Sequence, residues 1–98
     1  MLPLTAYNYS TLLGLERRYE EAIEVAELGR QCCVKYNKCR MLGGLLLNIA
    51  CCLHELGEDK KSGELLIASY YVNKAMERTK SCETVKQYAR ENLGIEID

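Results

Sequence analysis

The sequence predicts an all-α domain built from two helical hairpins and one extra helix, and three observations carry that expectation. The only proline is Pro3, so nothing downstream of the first residues interrupts a helix. β-Branched residues are sparse, which removes the usual material of strands. Apolar residues recur three and four positions apart, the spacing of a single helix face. A length of 98 residues suits one domain, since compact units run to about 100–150.

The elements follow in order from the same periodicity. A first helix runs from about Leu4 to Leu15, with Thr5 as its candidate cap. The second starts near Arg18 and ends near Lys35; Tyr19, Ala22, Ile23, Ala26, Gly29 and Cys33 form its apolar face. Glu20, Glu21, Glu24, Glu27 and Arg30 make the opposite, solvated face. Tyr36, Asn37 and Lys38 read as a turn. A third helix spans about Cys39 to Leu56 and is apolar nearly all round, so it must be covered on more than one side. Gly57 stops it by taking up the left-handed conformation. A fourth helix begins near Asp59, the candidate cap, and continues to about Thr79, packing through Ser62, Leu65, Leu66, Ser69, Val72 and Met76. Ser81 is placed to cap a fifth helix that ends at Gly94, with Ile95 supplying the apolar contact of a glycine stop. The gaps are only a few residues long, and short gaps fold consecutive helices back on each other.

Composition excludes several classes. Thirteen Lys and Arg against fourteen Asp and Glu give a net charge of −1, without the basic excess that nucleic acid or an anionic membrane demands. Arg17, Arg18, Lys35, Lys38 and Arg40 gather near loops, but Glu16, Glu20 and Glu21 interleave with them. Apolar runs such as 45–47 fall far short of the roughly 20 residues that span a bilayer. The opening Met-Leu-Pro-Leu has no export pattern, and a cytoplasmic location is expected. The six cysteines, Cys32, Cys33, Cys39, Cys51, Cys52 and Cys82, therefore read as reduced thiols packed like small apolar residues. Adjacent Cys-Cys pairs on a helix point about 100° apart, which suits bridges poorly.

Aligning the two hairpins on each other gives a period of 40 residues: Ser10 falls on Ala50, Leu13 on Leu53, Ala22 on Ser62, Ala26 on Leu66 and Gly29 on Ser69. Small residues recur where helices must approach closely. The segments Tyr9-Ser10-Thr11-Leu12-Leu13 and Arg18-Tyr19-Glu20-Glu21-Ala22-Ile23-Glu24 resemble the tetratricopeptide repeat, as does the set Leu46, Asn48, Ile49, Ala50, Leu53, Leu56 and Gly57. The second repeat departs from the pattern, with Asp59 for the aromatic and Ser62 for the alanine, and Arg17 stands where the first turn usually has glycine. The fold this resemblance implies is a short right-handed solenoid, with hairpins over about 4–35 and 39–79 and a capping helix over about 82–93. The period exceeds the standard repeat of about 34 and is similar to the longer hairpins of bacterial regulators. The ending from Val85 to Ile95 resembles the closing helix of Gram-positive helix-turn-helix regulators, whose DNA-binding part would lie outside this chain.

Chemistry-bearing patterns are few. Cys51 and His54 lie three apart on one helix face, a spacing open to two zinc ligands, a Cys–His nucleophile pair, or simple packing. One histidine and no CxxC leave no expected metal site, and no cofactor or enzymatic activity is expected. Asn8 and Asn48 sit 40 apart and have two readings: clamps on a peptide backbone, as the resemblance implies, or bonds between neighbouring helices. By the same resemblance Tyr7, Thr11, Leu47, Cys51 and His54 join them on an inner, ligand-facing groove. Leu2, Leu4, Tyr9, Leu12 and Leu13 give the first helix an uncovered apolar stripe, expected to pair with a second copy in a homodimer. The expected function is a non-enzymatic module that binds a peptide or protein segment, as the regulatory part of a bacterial transcription factor, with no direct contact to nucleic acid or membrane. The alternative is a pure homo-oligomerisation scaffold without a ligand.

Overall fold

Pro3 opens the first helix, where its fixed φ is already helical and its missing N–H would have had no partner. The computed structural model describes residues 1–36 and 40–97. Its elements are α1 (Pro3–Leu15), α2 (Tyr19–Lys35), α3 (Leu42–Glu55), α4 (Asp59–Ala75) and α5 (Thr79–Leu93). No strand occurs among the described residues, and none of these helices is long and apolar enough to cross a membrane. The expected starting residue of the third helix, Cys39, and the turn residues Asn37 and Lys38 lie outside the described residues; α3 itself starts at Leu42.

Three of the four links are copies of one turn. Between α1 and α2, α3 and α4, and α4 and α5, the middle residue has positive φ: Arg17 at 62°, Gly57 at 82° and Glu77 at 56°. The same two backbone bonds close each turn. Arg17 N–H donates to the Gly14 carbonyl (3.0 Å) and Arg18 N–H to the Leu13 carbonyl (2.9 Å); Gly57 and Glu58 repeat this on His54 and Leu53, and Glu77 and Arg78 on Lys74 and Asn73. The following residue in each case, Arg18, Glu58 or Arg78, caps the next helix through its backbone alone. Four residues further on, the small residues Ala22, Ser62 and Cys82 occupy matching buried places.

This turn corrects several helix ends. Thr79 belongs to α5, not to the end of α4, because the chain turns at Glu77. Ser81 consequently sits inside the first turn of α5 instead of capping it, and Thr5 likewise lies inside α1. Asp59 does not cap α4; its carboxylate faces His54. Met76, expected on the packing face of α4, falls beyond the end of the helix and is exposed, while Gly63, Tyr70 and Asn73 complete that face. At the far end Gly94 adopts φ 66°, and Ile95 N–H reaches back to the Ala89 carbonyl (3.1 Å). Leu93 and Ile95 then pack on the α4–α5 cluster.

The core is organised around α3, which touches α1, α2, α4 and α5. Leu45 and Ile49 meet Ala6, Ala26 and Cys33 on one side; Ala50 meets Leu66, Val85 and Ala89 on the other. A third cluster joins Leu13, Ala22 and Cys52. Close approach depends on small residues. A Cβ at Gly29 would lie 2.5 Å from Ala6 Cβ, and one at Gly43 would collide with the Asn73 carboxamide. Where α4 crosses α3, serines bridge the backbones: Ser62 Oγ donates to the Ala50 carbonyl and Ser69 Oγ to the Gly43 carbonyl, each at 2.7 Å. Among described residues every buried side-chain polar atom has a partner.

Arg17 carries a left-handed conformation that costs an L-residue about 1–2 kcal/mol, part of which glycine returns through its more flexible unfolded state. Arg17→Gly is therefore expected to raise stability by about 0.5–1 kcal/mol. Urea denaturation measures it; an unchanged or lowered midpoint would mean that the turn at Arg17 is not left-handed.

Candidate functional site

Residues that face one another across α1, α3 and α5 enclose a groove. On α3, Asn48, Cys51, Cys52 and Glu55 share a face by their spacing of three and four. On α1, Ser10, Thr11, Gly14 and Leu15 do the same; Tyr19 of α2 and Tyr88 of α5 close the sides. The cavity measures about 240 Å³.

Asn48 ties two of these helices together. Its Nδ2 donates toward Ser10 Oγ (2.9 Å), Thr11 Oγ1 (2.9 Å) and the Tyr7 carbonyl (3.3 Å), all on α1. A carbonyl can only accept, so the amide nitrogen is the atom facing α1. The Tyr7 carbonyl also accepts from the Ser10 (3.1 Å) and Thr11 (2.8 Å) hydroxyls. Asn48 thus makes the bond between neighbouring helices that was one of its two readings. Asn8 has no equivalent position: it is exposed on α1, whose helix partners among the described residues are α2 and α3.

The other expected groove residues divide. Thr11 and Cys51 line the cavity. Tyr7 is not among the lining residues; its ring packs over Gly44, where a Cβ would come within 2.8 Å. Leu47 is turned into the α4–α5 cluster. His54 and Cys51 share a face but have separate companions. His54 Nδ1 pairs with Asp59 Oδ1 at 2.8 Å and its ring meets Tyr88 edge-on, with centroids 6.2 Å apart. The Cys51 thiol lies against the Tyr88 hydroxyl. No group of three His, Cys, Asp or Glu side chains able to hold a metal occurs among the described residues.

Electrostatically the groove favours protonated thiols. Burial raises the Cys51 thiol above its ordinary range, with the Glu55 charge adding to the effect. Burial, then Cys51 and Glu55, push Cys52 up to about 11. Burial also raises the Tyr88 phenol, reinforced by Cys51 and Glu55. A cysteine nucleophile needs the reverse shift.

No match stands beside this geometry. No family model, curated protein or solved structure aligns with the chain.

Two further surfaces were expected from the sequence. Leu2 (70% exposed), Leu4, Tyr9 and Leu12 do face outward on α1, joined by Leu15 (78%). Leu13 is corrected: it is 1% exposed and buried against Ala22 and Cys52, because it lies on the α1 face that carries Ala6 and Ser10. The basic residues near the first turn are partly neutralised, with Arg18 held by Glu21 and Glu16. Sequence reasoning missed Glu55 and Tyr88. Glu55 was findable as the next turn along the Asn48–Cys51–Cys52 face; Tyr88 is brought to the groove only by the docking of α5.

Two outcomes follow. Asn48→Ala should lower stability by about 1–2 kcal/mol, because it removes the amide bonds to α1 and leaves a half-buried gap; an unchanged urea midpoint would release Asn48 from this role. The second concerns pH. Below about pH 9 both folded and unfolded chains keep the Cys52 proton; from the ordinary 9.0 to about 11 the unfolded chain releases it while the folded one does not. Stability should fall across that window, and the fall should be shallower in Cys52→Ala than in the parent chain. Equal slopes in the two proteins would contradict the raised thiol.

Proposed function

We propose that this chain is a non-enzymatic protein-interaction module of tetratricopeptide-like hairpins, which holds an extended segment of a partner in the groove between α1, α3 and α5. The observation that carries this reading is the groove itself: first helices of successive hairpins lie side by side, and their facing residues leave a largely apolar cleft with few charges. The recurring left-handed turns and the small residues at Ala22, Ser62 and Cys82 support a repeat origin for the hairpins. The likeness of Val85–Ile95 to the closing helix of bacterial regulators supports placing the module in the regulatory part of a cytoplasmic transcription factor, with DNA contacts made elsewhere.

An NMR titration tests the groove. Adding capped extended peptides to the labelled chain should shift the amides of Thr11, Gly14, Asn48, Glu55 and Tyr88 together. Absence of any such shift at millimolar peptide would remove the groove as a binding site.

A second surface supports self-association. Residues 1–15 carry no charged side chain, yet Leu2, Leu4, Tyr9, Leu12 and Leu15 are exposed along one helix. A surface without charges can meet its own copy across a two-fold axis with no like-charge repulsion, whereas the exposed faces of α2, α4 and α5 carry charges. Light scattering should give a dimer mass at micromolar concentration and a monomer mass for Leu12→Glu with unchanged helicity. A monomeric parent chain would end this reading.

A further inference from the structure

We infer that the groove selects a basic side chain, so that the partner segment presents a lysine or arginine to Glu55. This rests on the groove being a segment-binding cleft and adds what the cleft recognises.

The argument starts from charge. Glu55 is the one ionised side chain among the residues lining the cavity. The ion pairs of the described residues engage Glu16, Glu21, Glu27, Glu58, Asp59 and Glu96, and none engages Glu55. Arg18, next in sequence to the groove residue Tyr19, is committed to Glu21. Glu55 is exposed, yet it lines the cavity and its carboxylate is close enough to act on Cys51, Cys52 and Tyr88, which places its charge at the mouth of the groove.

Glu55 is the last residue of α3, and Gly14 and Leu15 close α1 at the same groove, where Tyr19 opens α2. Helix ends of both signs therefore border the cavity, and the net charge there is that of Glu55. A cation is favoured there and a carboxylate is repelled. The walls fit the rest of such a side chain. Leu15 and the two cysteines offer apolar contact for an aliphatic stem. The Tyr19 and Tyr88 rings can face the cationic head. At about 240 Å³ the cavity is smaller than a typical small-molecule pocket and far too small for a helix, which matches one long side chain of an extended segment.

The test uses four capped pentapeptides, acetyl-Ala-Ala-X-Ala-Ala-amide, with X as lysine, arginine, norleucine or glutamate, titrated into the labelled chain by NMR. Lysine and arginine should bind about fivefold more tightly than norleucine, the scale of one carboxylate contact aided by an aromatic face. The glutamate peptide should bind weakest, and added salt should erode the preference. Glu55→Gln, an exposed change that leaves the core untouched, should abolish the preference while norleucine binding persists. Equal binding of lysine, arginine and norleucine would overturn the selectivity and leave the groove reading standing. A preference that survives Glu55→Gln would overturn the assignment to Glu55. No binding by any of the four peptides would overturn both the selectivity and the groove.

Discussion

Covering α3 is the constraint on which the rest of the structure depends. A helix with leucine, isoleucine, cysteine and alanine on nearly every side cannot face water, and here four helices close over it. The helices that pack closest must come near, and their contact faces are correspondingly small: Ala6 and Ser10 on α1, Ala22, Ala26 and Gly29 on α2, Ser62 and Ser69 on α4, while Cys82 of α5 reaches the Tyr70 carbonyl of α4. Small residues reduce apolar burial per residue but bring backbones within reach of side-chain hydroxyls. The Ser62 and Ser69 bonds to α3 carbonyls are the result, and they satisfy groups that would otherwise be buried unpaired.

The shared turn is what turns this demand into a regular arrangement. One backbone geometry, centred on a left-handed residue, joins α1 to α2, α3 to α4 and α4 to α5. Only Gly57 has the residue type that prefers it. Arg17 and Glu77 are held there by the packing of the helices on either side, and their side chains are free in solvent, where a long polar residue does no harm. The strain is local and small beside the burial it permits.

The groove is a by-product of the same arrangement. Because α1, α3 and α5 lie side by side and the intervening helices pack behind them, the front faces of the three meet at an angle that side chains do not fill. Asn48 fixes that angle between α1 and α3 by donating across the gap. Tyr88 fixes it between α3 and α5, lying against Cys51 and meeting His54 edge-on. Residues that look like site chemistry in the sequence are thus partly the scaffold of the site. Glu55, at the end of α3, is the group in the groove that packing leaves unspent.

What was legible in the sequence was whatever depends on neighbours along the chain. The number of helices, the buried faces of α2 and α3, the stops at Gly57 and Gly94 and the uncharged outer face of α1 all follow from residue type and spacing, because the side chains concerned lie within one or two turns of each other. The break at Glu77 was not legible. No residue there prefers the left-handed conformation, and only the docking of α5 on α4 imposes it. The same reason hid Tyr88, which is remote in sequence from every groove residue, whereas Leu13 was legible from its spacing to Ala6 and Ser10 and its match to Leu53. Asn48 shows the boundary most clearly: its residue type announced an amide that must be satisfied, but whether α1 or a ligand satisfies it is decided by where the helices stand.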